Sequence, residues 1–107
     1  MSDKTSSVHY IDYLDLDKIL DAQNPLSTEN NNEAHEEMLF IIIHQTYELW
    51  FKQIIHEITS IMDLFKKEQI DEDNVGLIVG RIGRVNKILE VLVCLLYTSD
   101  AADEEDS

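Results

Sequence analysis

Phe40, His44, Tyr47 and Phe51 recur at i, i+4, i+7 and i+11, a spacing that puts all four on one face of a helix. Aromatic rings make an apolar wall for a flat ligand. A neutral imidazole is both donor and acceptor near physiological pH, so it can fix such a ligand by one hydrogen bond. The same pattern suits a core histidine bonded to a neighbour, and spacing alone leaves both readings open. Other chemistries fail on spacing. A di-iron bundle needs Glu three residues before a ligating His, and none of His9, His35, His44 or His56 has one. No His-Glu-x-x-His zinc motif, phosphate-binding glycine loop or serine nucleophile elbow occurs. The single Cys94 excludes an internal disulfide and a thiolate cluster.

The element that must carry the four residues is a long helix from Glu33 to Lys67. It holds no Gly or Pro and spans roughly 50 Å at about 1.5 Å per residue. Glu33, Glu36 and Glu37 crowd its first turn and Lys66 and Lys67 its last, matching the sign of the helix dipole. From Met38 to Phe51 apolar residues run nearly all the way round, so this half should be enclosed by other helices. The second half is one-sided, with Ile54, Ile58, Ile61 and Leu64 or Phe65 facing in. His56, among Gln53, Glu57 and Thr59, reads as solvated or interfacial.

Ahead of it, Met1 to Ser7 are polar and expected to be mobile. Tyr10, Tyr13 and Leu14 form an amphipathic patch before a short helix, about Asp15 to Gln23, with Asp15 as N-cap and Pro25 as its stop. Asn30, Asn31 and Asn32 offer a cap for the long helix. After a turn over Gln69 to Asn74, capped by Asp71 or Asp73, the stripe Val75, Ile78, Val79, Ile82, Val85, Ile88, Leu89, Leu92 predicts a third helix from about Asp73 to Val93. Gly76, Gly80 and Gly83 weaken it by up to about 1 kcal/mol each, so close packing against another helix is the expected compensation. Arg81, Arg84 and Lys87 form a cationic stripe, expected to be a solvated face paired with carboxylates, and exclude a membrane reading of the glycine spacing. The fold class is therefore all-α: a short N-terminal helix and a long antiparallel pair, since a short turn joins neighbours.

In 107 residues there is room for one small domain. With 22 acidic against 8 basic residues the formal charge is −14, which argues against nucleic acid or an anionic membrane as partner. No apolar run approaches the length of a membrane span, no signal pattern opens the sequence, and the expected location is cytoplasmic.

The run Glu37-Met38-Leu39-Phe40-Ile41-Ile42-Ile43-His44-Gln45-Thr46-Tyr47-Glu48-Leu49-Trp50-Phe51-Lys52 resembles the signature helix of tryptophan 2,3-dioxygenases, haem enzymes that open the indole ring. Tyr13 to Asp17 and Leu20 to Ser27 are similar to that family's N-terminal segment. A match this long, in order and with sensible gaps, is far more specific than a short motif. Glu36 stands where the family usually has Asp, a mild change at a helix start. The resemblance implies a larger helical subunit holding haem b, usually in a homotetramer, that adds both atoms of dioxygen to L-tryptophan to give N-formyl-L-kynurenine. It implies that Phe40, Ile41, Ile42, Ile43 and His44 are substrate-binding and His44 catalytic. Phe40 would pack on the indole, and distal His44 would accept its N–H. Tyr10, Tyr13 and Leu14 would line the pocket of a neighbouring subunit. The axial haem histidine and the arginine for the substrate carboxylate lie downstream in the family, so no metal ligand is expected in this chain.

After Val93 the character changes. Cys94-Leu95-Leu96-Tyr97-Thr98-Ser99-Asp100-Ala101-Ala102-Asp103-Glu104 is unlike the family and resembles the translation of a transposase adapter used in shotgun DNA sequencing. The expected organisation is thus 1–93 as the N-terminal part of a dioxygenase domain, incomplete and inactive alone, and 94–107 as a non-native, disordered tail. A small helical oligomerisation module without catalysis is the competing class. Source DNA that continues past Val93 in dioxygenase sequence would discriminate against it.

Overall fold

The structure, a computed structural model, describes residues 9–29 and 34–106, and of residues 29 and 99–106 the backbone alone. The expectations for Met1 to Ser7, for Asn30 to Asn32 as a cap and for Glu33 fall outside it. Two compact units divide the chain, Met1–Ile42 and Ile43–Ser107. Among the described residues every regular element is a helix, as the periodicity requires.

In the first unit, α1 (Tyr10–Tyr13) packs on α2 (Leu16–Leu20). The single helix expected over Asp15 to Gln23 is shorter, and Asp15 caps it differently. Asp15 does sit at the N-cap, but with φ at 53° and no side-chain cap hydrogen bond; a short polar side chain tolerates this left-handed conformation. The Gln23 side chain donates to the Ile19 carbonyl at 2.9 Å, satisfying an acceptor that a further turn would otherwise use. A one-turn helix, α3 (Leu26–Glu29), follows Pro25. The long helix α4 (Glu37–Phe65) begins in this unit. Its start falls inside the expected Glu33, and its last turn ends before Lys66 and Lys67.

The second unit is an antiparallel hairpin of α4 and α5 (Glu72–Asp106). Tyr47 meets Leu92, Glu57 meets Arg84, and Ile61 and Leu64 cluster with Ile78; one index rises as the other falls. On α4 the covered positions include Ile43, Tyr47, Trp50, Ile54, Glu57, Ile61 and Leu64, flanked by half-buried Gln45, Thr46, Gln53 and Ser60. On α5 they are Asn74, Ile78, Arg81, Val85, Ile88, Leu92 and Leu95. Both sets step alternately by four and three, the spacing of a two-helix seam. Asp71 starts α5 by accepting the Asn74 N–H at 2.9 Å, a side-chain N-cap.

Four expectations need correction. On the inward face of α4 Ile54, Ile61 and Leu64 lie as expected, but Glu57 takes the inward place read for Ile58, which is exposed. Half of the α5 stripe, Val75, Val79, Ile82 and Leu89, is exposed, because one partner helix covers only a narrow line. The glycines do not serve close packing: a Cβ at Gly76, Gly80 or Gly83 would meet nothing within 4 Å. Helix α5 also runs past Val93 to Asp106, where an irregular tail was expected. The extension contains no Gly or Pro and holds two each of Leu, Ala and Glu, so nothing in it breaks a helix already nucleated.

Candidate functional site

The start of α4 is fixed by side chains rather than by apolar packing. The Glu37 carboxylate accepts the backbone N–H groups of Leu26 at 3.1 Å and Ser27 at 3.0 Å, donors that the first turn of α3 leaves without partners. It also accepts the Ser27 hydroxyl. Ser27 Oγ in turn accepts the Ala34 N–H at 3.1 Å, and the Ala34 carbonyl accepts the Glu37 N–H at 3.1 Å. These bonds, led by the Ser27 hydroxyl, hold the Glu37 carboxyl below its ordinary value of 4.5.

Phe40 lies one turn further on, its N–H bonded to the Glu36 carbonyl at 3.2 Å. Its ring is 70 % exposed. Ile42 is exposed, and Ile41 and Ile43 are half-buried. The His44 side chain is 69 % exposed, with Nε2 3.6 Å from a Glu48 carboxylate oxygen. Tyr47 is the member of the quartet drawn into the hairpin: its hydroxyl donates to the Leu92 carbonyl at 3.0 Å, and its ring lies 5.9 Å from that of Phe51, tilted 35°. Phe51 is itself exposed. Helix α4 therefore presents an apolar stripe interrupted by one imidazole, which suits an aromatic ligand carrying a polar N–H. Tyr10, Tyr13 and Leu14 are exposed on and just after α1.

Two functional side chains escaped the sequence reading. Glu37 was credited only with its charge near the helix start, and its reach back to Ser27 follows from the turn at residues 34–36, which no local pattern encodes. Glu57 is buried, accepting from Arg84 at 2.7 Å and Gln53 at 2.9 Å. The Arg84 guanidinium, foremost, holds its carboxyl below the ordinary value. The alternating spacing of Ile54, Glu57 and Ile61 was the available signal. Arg84 does pair with a carboxylate, as its stripe suggested, but with a buried one. Among the described residues no cluster of three or more His, Cys, Asp or Glu could hold a metal ion, and no helix is long and apolar enough to cross a membrane.

Comparison with known proteins bears on this geometry directly. A family model described as tryptophan 2,3-dioxygenase matches residues 1–103. The tryptophan 2,3-dioxygenase of Bdellovibrio bacteriovorus is 48 % identical over 90 residues, covering 84 % of this chain and 25 % of that protein. Those of Anopheles gambiae and Dictyostelium discoideum are each 52 % identical, over 84 and 86 residues, covering 78 % and 80 % of this chain but 21 % and 22 % of theirs. The chain thus spans about a quarter of the length of these curated relatives.

Proposed function

The chain belongs to the tryptophan 2,3-dioxygenase family, and from that premise we propose that it forms the substrate-side wall of a haem dioxygenase. The reaction is addition of both atoms of dioxygen to L-tryptophan, giving N-formyl-L-kynurenine. The observation that carries this is the exposed line of Phe40 and His44 on α4, presented within the segment that matches the family. Phe40 packs on the indole face, Ile41, Ile42 and Ile43 supply apolar lining, and the His44 imidazole accepts the indole N–H, fixing which way the ring lies. Tyr10, Tyr13 and Leu14 complete the pocket of a neighbouring subunit in a homotetramer.

The donor set here fits the substrate side of a haem pocket: an exposed apolar surface carrying one imidazole. Haem b, when bound, supplies the iron that holds and activates dioxygen. The residue that would hold the haem iron and the cation for the substrate carboxylate would come from sequence outside residues 1–93, so the chain of 107 residues alone is inactive. The whole enzyme works in the cytoplasm. The decisive assay is N-formylkynurenine formation by purified protein with haem, reductant and oxygen, comparing the chain with a version completed from its source DNA. Activity in the completed protein that His44→Ala impairs through the Michaelis constant, with the haem spectrum unchanged, supports the reading. Loss of haem in that variant would make His44 an iron ligand and overturn the role given to it.

A further inference from the structure

We propose that Ser27 and Glu37 are positioning residues for substrate binding: together with Ala34 they close a ring of hydrogen bonds that sets where α4 starts, and through it the placement of Phe40. The inference rests on the substrate role proposed for Phe40. The ring is a closed circuit. Ser27 Oγ donates to Glu37 and accepts from Ala34, whose carbonyl takes the Glu37 N–H at 3.1 Å. Glu37 adds the Leu26 and Ser27 amides at 3.1 and 3.0 Å, so one carboxylate joins the first turn of α4 to the first turn of α3.

The circuit matters because nothing apolar does its work. In the first unit no described residue is buried, Met38 and Phe40 are exposed, and the helix start is held by polar bonds. Phe40 follows Glu37 by three residues, within one turn, so fraying of that turn displaces the ring directly. Charge makes the clasp effective. A carboxylate accepting N–H and O–H donors forms stronger bonds than a neutral acceptor, and it lies at the positive ends of two helices.

The test combines two readouts. In the chain itself, hydrogen exchange should show the Leu26, Ser27 and Ala34 amides opening about tenfold faster in Glu37→Ala, with amides near Ile61 unchanged. In the full-length protein, Glu37→Ala and Ser27→Ala should raise the Michaelis constant for tryptophan about 3- to 10-fold, with kcat within about twofold. Ser27→Thr, which keeps the hydroxyl, should restore it. If Glu37 acts through Phe40, then Glu37→Ala adds nothing to Phe40→Leu. Additive effects, or a Glu37→Ala protein with unchanged exchange, would overturn the proposal while leaving the substrate role of Phe40 intact. A Phe40→Leu protein with an unchanged Michaelis constant would remove the substrate reading and the positioning role with it. Should Glu37→Ala fail to fold, Ser27→Ala carries the same comparisons.

Discussion

Adjacent residues of α5 differ sharply in what truncation should do. Ile78 is 6 % exposed and clusters with Ile61 and Leu64, whereas Val79 is 63 % exposed. Ile78→Ala removes about three methylene-sized groups from the seam at about 0.8 kcal/mol each. The unfilled space adds to that loss, and the better helix propensity of Ala returns about 0.4 kcal/mol, leaving a net cost of about 2–4 kcal/mol. Val79→Ala removes a group that mostly faces water and gains propensity, so its effect should lie within about 0.5 kcal/mol of zero. Each kcal/mol moves the melting temperature by about 4–8 °C in a chain of this size, so the two variants should melt at least about 6 °C apart. Urea and thermal unfolding followed by helical circular dichroism measure this, repeated at two protein concentrations to separate folding from association through the exposed stripe. Equal losses for the two variants would refute the seam, because they would mean that α5 presents another face to α4.

Three further outcomes follow from the same geometry. Gly80→Ala should raise stability by about 0.5–1 kcal/mol, since a Cβ there meets nothing within 4 Å; a lower melting temperature would show that the position is covered. Tyr47→Phe should cost about 0.5 kcal/mol, the low end for a neutral hydrogen bond, because the Leu92 carbonyl already serves the helical ladder; urea unfolding measures it. Glu37 and Glu57 both have carboxyls held below the ordinary value of 4.5, so their stabilisation is complete above that value and is lost as pH falls through the lower folded values. Melting temperature should therefore be flat down to about pH 5 and then fall, and Glu57→Gln should flatten part of the fall.

What could be read from the sequence was whatever repeats. Helical periodicity gave both long helices, their antiparallel pairing and the face shared by Phe40 and His44, because a period of 3.6 survives any later packing. It overreached where periodicity was taken for burial. Ile58, Val79 and Ile82 continue apolar stripes, yet a single neighbouring helix leaves them exposed. Stripe width reports how many partners a helix has evolved to meet, and seam width reports how many are present. By that measure the apolar stripes of α4 and α5 are wider than one partner helix covers, and the chain spans about a quarter of the length of its relatives. Hidden entirely was the clasp at the start of α4. Ser27 and Glu37 stand ten residues apart, a separation that no helical or strand period encodes, so nothing in the sequence pattern announces their contact. The aromatic wall was thus visible in the sequence through its spacing. The polar contacts at the start of α4 belong to tertiary geometry, and Glu37→Ala tests whether they place Phe40.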